Sequence, residues 1–502
     1  MLRLISCLLL LVGLRGNAQL WNKTYIEDRP ILLFSSVEEK NGHYTVIGGT
    51  YGSINNIGKV WLADINNNGE VQSYSIHNDS IYASFAVLTN SFIKTTDNGY
   101  AFVGYSYDST GYLLFGKANG TLDTVDICRY YTPNTYAYHG YSLTQADGYY
   151  YIAGVHTTNT PANADVVLVK MDSAGNRLWE KYYGTIYSES AKSIIRLANG
   201  NLMLGAVRND LNQTNQKANT WLIEVDTGGL IVRQWLDTGN NTYAAEGLKQ
   251  TPDGGFIYGA QKRVFMSGGT AYCHGSVVKL DSMFNKRWSY VGGNLGSTTG
   301  FVDLELLLDR GVIACGKYDY GRAWIVKVDS AGNLAWDRKY SVYVNANSQN
   351  ILTDIDVLPD GSLIAVGQCQ NPGQTPPQVG WFLKLDSNGC EIENCTVGIE
   401  PTPKSPSRNN RDEKGDLNSR IQVWPNPFST DLSLTLSEGE GIIPNATFTI
   451  TNTTGQVVYR QQESDLATGY TKMLDLSYLP NGVYFVAVST AAGKAVQRLV
   501  KE

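Results

Sequence analysis

The chain is poor in charge, in histidine and in long apolar runs. Charged residues make up 17% of its 502 positions, with 40 Lys and Arg against 46 Asp and Glu, a net charge of −6. A nucleic-acid partner needs a basic face, so this balance speaks against one. Stretches rich in Ala, Glu, Lys and Leu are missing, which argues against bundles and coiled coils. The five His, at 43, 77, 139, 156 and 274, are scattered. No HExxH, GxSxG, P-loop or CxxC occurs, so the common metal, nucleophile and phosphate signatures are absent. No catalytic residue, metal or cofactor is expected. Glycine, at 51 residues, and tyrosine, at 32, are what the chain has in plenty. Its length suits about three domains, or one large all-β domain and a small one.

Residues 1–18 read as a signal peptide. Met1-Leu2-Arg3 is a short basic start, Leu4 to Leu14 is almost wholly apolar, and Gly16-Asn17-Ala18 offers small residues for cleavage after Ala18. The apolar stretch is too short for a bilayer that needs ~20 residues. Cys7 lies inside it and not at the cut, against a lipoprotein. Loss of Arg3 and Arg15 would take the net charge from −6 to −8. No later segment is apolar for long enough to anchor the chain in a membrane.

An internal repeat fills residues 19–395. A turn followed by a short apolar strand ending in Gly reads NGHYTVIG at 41–48, NGYAFVG at 98–104, DGYYYIAG at 147–154 and NGNLMLG at 199–205. It continues as DGGFIYG at 253–259, RGVIACG at 310–316 and DGSLIAVG at 360–367. The seven closing glycines run from Gly48 to Gly367, about 53 residues apart on average. A second unit follows each first one, as in VLVKMDSAG at 167–175, WIVKVDSAG at 324–332 and WFLKLDSNG at 381–389. It has the same count and period.

Alternating apolar and polar residues, rich in β-branched and aromatic types, make each unit a strand. Asp-Gly and Asn-Gly pairs supply the turns. A third strand carries Trp-x-Lys-x-Tyr-like patterns, such as Leu178 to Tyr182, and a fourth precedes the next turn, such as Ser193 to Leu197. Four short strands repeated seven times predict a seven-bladed β-propeller. The seventh repeat runs into Cys390 to Cys395 without its third-type strand, while Leu20 to Tyr25 supplies one before the first repeat. The N-terminal strand is therefore expected to complete the last blade and leave no open edge.

Residues 396–419 read as a linker, with Pro401, Pro403 and Pro406 before the charged run Arg408 to Asp416. Strand patterns return over 420–502 and predict a small β-sandwich. Ile421-Gln422-Val423-Trp424-Pro425-Asn426-Pro427-Phe428 resembles the YPNP opening of the type IX secretion system C-terminal sorting domains. Gly455-Gln456-Val457-Val458, Leu476 to Tyr484 with Leu479, Gly482 and Tyr484, and Gly493-Lys494 to Lys501 resemble their later motifs. Trp424 stands where that family usually has Tyr. The resemblance implies export to the outer cell surface or beyond, the type IX machinery as a partner, and removal of the domain with attachment to surface lipopolysaccharide.

Six cysteines remain after signal cleavage, and an exported protein permits disulfides. Cys390 and Cys395, close in the chain at the ring seam, are the expected pair; the pairing of Cys128, Cys273, Cys315 and Cys369 stays open. Asp64 to Gly69 matches the start of a calcium loop, but position twelve is Ser75 and not the bidentate Glu. An ordinary turn is the expectation there. The Asp172, Gly175, Trp179 spacing is similar to the Trp-docking repeat of quinoprotein dehydrogenases. Its recurrence in many repeats fits turn and inter-blade packing better.

Strand direction alternates, so tight Asp-Gly and Asp-Ser-x-Gly turns share one face of the disc and irregular connections share the other. Recognition favours irregular loops on a rigid scaffold. Ligand candidates on that face are Tyr138, His139, His156, Arg208, Asp210, Arg263, Asp319 and Tyr320, with His139 and His156 placed in connections. The expected function is a secreted or surface binding and adhesion module for an unknown glycan or protein ligand. The rival is a secreted propeller hydrolase or lyase acting on polysaccharide, which carboxylates converging on the central funnel would favour.

Overall fold

The computed structural model describes residues 20–25, 31–38, 42–51, 58–77, 83–85, 91–106, 112–130, 135–158, 164–210, 217–238, 242–265, 271–293, 299–319, 321–343, 347–372, 377–391, 421–424, 428–436, 443–452, 456–466, 471–490 and 493–501. The chain divides into two compact units, Met1–Ile399 and Glu400–Glu502. Among the described residues no helix is long and apolar enough to cross a membrane.

The first unit is seven antiparallel sheets. Blade 1 runs from Ile31–Glu38 at the axis through Tyr44–Tyr51 and Gly58–Ile65 to Val71–His77 outside. Blades 3 to 6 repeat this meander, with inner strands Thr135–Ala146, Ser188–Arg196, Thr242–Gln250 and Gly300–Leu306. In blade 2 the inner strand is split into Ala83–Phe85 and Phe92–Lys94, both paired with Tyr100–Ser106. Blade 7 has Gln349–Val357, Leu363–Gln370 and Gln378–Leu385, and its outer strand is Trp21–Tyr25. That strand pairs antiparallel with Gln378–Leu385, Trp21 opposite Lys384 and Tyr25 opposite Gly380. Ile31–Glu38 packs against Gln349–Val357, and the other inner strands pack in sequence order, so the ring is complete. The all-β, seven-bladed propeller closed by an N-terminal strand is as expected.

The repeated residues hold turns and neighbouring blades. In the turn between the third and fourth strands of blade 3, Asp172 Oδ1 accepts from the backbone N of Ala174 and Asn176 at 3.0 and 2.7 Å. Asp226, Asp281, Asp329 and Asp386 repeat this pattern, and Asn66 does so in blade 1. Hydrogen bonds from the Asn176 side chain and then its backbone N hold the Asp172 carboxyl below the usual range. The calcium-like run is such a turn, and Asp64 faces His43 Nδ1 at 3.1 Å.

The next glycine receives the preceding blade. Tyr25, Tyr183 and Tyr340 hydroxyls donate to the carbonyls of Gly69, Gly229 and Gly389 at 3.0, 2.9 and 2.6 Å, and Tyr130 does the same to Gly175. A Cβ on Gly389 would lie 2.8 Å from Trp336, and its φ is +71, so a side chain is disfavoured twice over. At the seam Trp21 stacks edge-on against Phe382 at 4.8 Å and donates Nε1 to Asn67 O at 2.8 Å. Lys384, 2% exposed, reaches across to Tyr44 Oη at 2.8 Å.

The second unit has a three-stranded sheet, Ile421–Trp424, Asp431–Leu436 and Thr471–Asp475, and a four-stranded one, Val457–Leu466, Ile443–Asn452, Gly482–Thr490 and Gly493–Lys501. Leu432, Leu434, Phe448, Ile450, Leu474, Val486, Val488 and Leu499 form one buried core from both sheets, as a sandwich requires. Lys501 Nζ donates to the carbonyls of Ser429 and Leu476 at 2.7 and 2.8 Å, so its buried charge is well solvated by backbone.

Candidate functional site

The inner strands do not run straight. Register shifts interrupt six of them among the described residues. An unpaired residue bends the strand and re-aims its side chain. The skipped residues are Phe34, Tyr136, Tyr141, Lys192, Val302 and Thr353, the side chains of the first two lying outside the described residues; in blade 5 two shifts flank Glu246, itself paired with Gly259. The residue after the skipped one ties its blade to the next in three of them: Ser142 Oγ accepts from Ile194 N at 3.2 Å, Ser193 Oγ donates to Ala245 O at 2.5 Å, and Asp303 Oδ2 accepts from Ile355 N at 3.1 Å. Each of these links joins adjacent blades. The re-aimed residues, in contrast, differ from blade to blade.

Two of them, Tyr141 and Lys192, join paired residues of the same inner strands in an arc of ionisable and aromatic groups. His139 stacks on Tyr105 of blade 2 with centroids 3.9 Å apart, and its Nδ1 lies 3.2 Å from Tyr141 Oη. Lys192 Nζ sits 4.4 Å from the centre of the Tyr141 ring, a cation–π contact between blades 3 and 4. Burial, helped by the Lys192 charge, takes the His139 imidazole down to about 4, so it is neutral at pH 7. Glu246 in blade 5 comes next. Burial pushes its carboxyl up to about 7, Lys192 pulls it down and Asp303 pushes it up. Burial also lowers Lys192, against the attraction of Glu246. Lys249 pairs with Glu305 of blade 6, and Asp303, Asp354 and Asp356 extend the acidic side through blades 6 and 7. Lys192, Glu246, Lys249 and Glu305 are half-buried: hemmed in by neighbouring blades, yet reached by solvent, as groups lining an axial opening are. Among the described residues no group of three or more His, Cys, Asp or Glu could hold a metal ion.

Of the eight residues expected on the variable-loop face, Tyr138 and His156 are cross-strand partners with ring centroids 5.9 Å apart. His139 and His156 are in strands Thr135–Ala146 and Tyr149–Thr158, not in connections. Aromatic and β-branched residues, as in Tyr136 to Tyr141 and Val155 to Thr158, carry the pairing well past Gly154. Tyr138 is fully buried, with its hydroxyl donating to Glu180 Oε2 at 2.7 Å; burial and that carboxylate raise its phenol. His156 is buried against Tyr138 and Tyr182, and burial lowers its imidazole. Arg208 lies 4.7 Å from the centre of the Tyr187 ring, and Arg263 is half-buried opposite Cys273. Asp319 is held by Arg322 Nε and Nη2 at 2.9 and 2.6 Å. The Asp210 side chain and Tyr320 lie outside the described residues. Only His139 joins the axial arc.

Lys192, Glu246, Lys249, Asp303, Glu305, Asp354 and Asp356 were missed. Their signal was present: charges inside otherwise apolar strands, as in Ala191-Lys192-Ser193-Ile194 and Asp354-Ile355-Asp356-Val357. Reading it requires knowing that this strand is the innermost.

Cys128, Cys273, Cys315 and Cys369 are free. Cys390 is buried, with Arg338 Nη2 3.5 Å from its sulfur, while Cys395 lies outside the described residues. Of the sorting motif, Pro425, Asn426, Pro427 and Gly455 also lie outside them, as does the Lys494 side chain. Leu479 is in the sandwich core, Tyr484 is buried with its hydroxyl donating to Pro480 O at 2.8 Å, and Gly482 opens its strand.

Residues 422–502 match the family described as a secretion system C-terminal sorting domain. A search of curated proteins found no match. The chain is similar to a polysaccharide lyase of the ulvan lyase type solved with a GlcA–Rha3S ligand, at 10% identity over 73% of this chain and 96% of that one, with a TM-score of 0.49. It is also similar to the β-propeller domain of the Trilobed protease from Pyrococcus furiosus, at 10% identity over 71% of this chain and 95% of that one, TM-score 0.40. A third similar structure is a protein of unknown function from Dyadobacter fermentans, at 11% identity over 72% of this chain and 98% of that one, TM-score 0.39. Likenesses this distant say nothing about ligand or chemistry.

Proposed function

We propose that this exported propeller is a surface or secreted binding module whose ligand docks at the axis, on the groups carried by the bulged inner strands. The sorting domain at 422–502 marks the chain for export to the cell surface or beyond. The observation that supports an axial site is the contrast at the bulges: one structural position, repeated around the ring, bears Tyr141, Lys192, Val302 or Thr353 according to the blade. Turn and packing positions keep one residue type because one job recurs. A re-aimed position that changes in every blade fits asymmetric recognition. Probing a glycan and protein array with the mature protein and with a Lys192→Ala, Glu246→Gln double variant tests this. Loss of the wild-type hits in the variant is expected; unchanged hits would move the site elsewhere.

Export by a signal peptide at 1–18, and removal of the C-terminal domain by cleavage in or near the linker 396–419 with attachment to surface lipopolysaccharide, belong to the same proposal. Mass spectrometry of the exported protein should find no peptide ending at Glu502. A chain lacking its last ten residues should stay inside the cell.

The second reading is an enzyme acting on polysaccharide. Glu246, held near neutrality beside Lys192, is what favours it, since a carboxyl that keeps its proton near pH 7 can serve as a general acid. Release of oligosaccharides from candidate polysaccharides, lost in Glu246→Gln, would establish it.

A further inference from the structure

We propose that the recess between blades 5 and 6, among the tight turns, binds a small aromatic acid carrying one negative charge. This site is separate from the axial one and does not depend on it.

Among the described residues, five blades make the same turn between their first two strands. It starts at Thr95, Leu197, Thr251, Leu307 or Leu358, whose carbonyl accepts from the amide three residues on and whose amide donates to the carbonyl four residues on. The fourth turn residue has a positive φ, which a side chain adopts only at a cost. Blades 4, 5 and 7 place Gly200, Gly254 and Gly361 there, and blade 2 places Asn98, a type enriched at such angles. Blade 6 places Arg310, at φ 63. The second turn residue is Thr96, Ala198, Pro252 or Pro359 in the other blades. In blade 6 it is Leu308, wholly exposed.

The scaffold asks for neither residue. The Arg310 side chain makes no hydrogen bond or ion pair among the described residues, and an exposed Leu buries nothing. Two costs at one of five otherwise matching turns point to a use outside the fold.

Leu308 and Arg310 line one recess of about 760 Å³, a size that suits a small ligand. Pro252, Ile257, Leu306 and the Trp288 ring supply apolar wall. Trp288 is held in place: its Nε1 donates to Ser330 O at 3.0 Å, and a Cβ on Gly332 would lie 2.8 Å from the ring. The other charges of the lining, Lys279 and Asp253, pair with each other at 2.8 Å. Nearby, Asp309 pairs with Lys327 at 3.2 Å and Arg287 with Asp281 at 3.0 Å. Arg310 is the lining cation left over, and its fork matches a carboxylate with two parallel bonds. A phosphate ester would bring nearly two charges against one.

The wall fixes the body. Thr251 Oγ1 is already engaged with Lys279 and Asp253, so the lining offers a sugar's hydroxyls few partners for the water they would lose. A flat ring has no such need and can pack against Trp288 and Leu308.

Calorimetric titration of the full chain with phenylacetate, phenethyl alcohol, phenethylamine and glucuronate tests this. Phenylacetate should bind about tenfold or more tighter than each of the others. Arg310→Gly and Leu308→Pro install residues that other turns carry, so both should melt at or above the parent. Arg310→Gly should weaken phenylacetate about tenfold or more, and Leu308→Pro about threefold. No binding of phenylacetate, equal binding of the alcohol or the amine, or tighter binding of glucuronate would overturn the assignment. Full affinity in both variants would do the same. So would a lower Tm in Arg310→Gly, which would show that the turn itself needs the guanidinium.

Discussion

The outer shell of the propeller and its axis are built on opposite rules. In the shell one residue type recurs because one contact recurs: Tyr25, Tyr130, Tyr183 and Tyr340 each reach the turn glycine of the following blade. At the axis the backbone device recurs, but the side chain it presents changes from Tyr141 to Lys192 to Val302. Recurrence in a repeat protein thus identifies what holds it together. The breaks in recurrence, at positions where the backbone register shift still recurs, are where function can be lodged without loss of fold.

The comparison is tested hardest at the seam. Removing residues 19–28 deletes the outer strand of blade 7 together with Trp21 and Tyr25, which clamp blade 1. Gln378–Leu385 would then have an open edge and Phe382 would lose Trp21. A loss of more than about 10 °C in Tm, or failure to fold, is expected. A truncated protein that melts with the parent would show that the shell contacts do not carry the ring.

Single shell residues should come next. Trp336→Ala opens space over Gly389 and should cost about 3 kcal/mol, and Tyr340→Phe, which removes the hydroxyl donor to Gly389 O, about 1 kcal/mol. Lys192→Met at the axis removes a desolvated charge and should leave stability within about 0.5 kcal/mol. Urea melts of the three variants measure this order. Equal losses at Trp336 and Lys192 would erase the distinction.

The shell was legible because its signals are local. An Asp two and four residues from amides it caps, or a Trp-x-Lys-x-Tyr strand ahead of a Gly, repeats at a fixed spacing, so the blade count, the turns and the closing strand follow from the sequence. The axial site was not legible for two reasons. Lys192 and Glu246 meet only after neighbouring blades dock, and the bulge that re-aims Lys192 has no residue signature, since Tyr, Lys, Val and Thr all occupy it. The irregular-loop argument instead drew attention to Tyr138 and His156. Those residues pair within strands and are buried against one another.

The seam also holds Cys390, which we expect to pair with Cys395. The loop is short, so the bond should add stability toward the lower part of the ~0–5 kcal/mol range. A non-reducing peptide map showing the two as free thiols would remove it from the shell devices.

The smallest effect is the most selective for the axis. Folded Glu246 keeps its proton up to about 7, whereas in the unfolded chain a Glu releases it near ~4.3. Between those values the folded protein binds more protons than the unfolded one, so this residue's contribution to stability declines as pH rises through the window. Gln cannot titrate and avoids the decline. The Tm of Glu246→Gln should therefore match the parent near pH 4 and exceed it at pH 8, by about 1–2 °C, since solvent reaches the group and screens part of the penalty. His139 titrates in the opposite sense between about 4 and its ordinary range, but it is present in both proteins and cancels in the difference. A flat difference across pH 4–8 would mean that Glu246 is solvated like any surface carboxylate. The axis would then be an ordinary wet surface, with no strain held ready for a ligand to relieve.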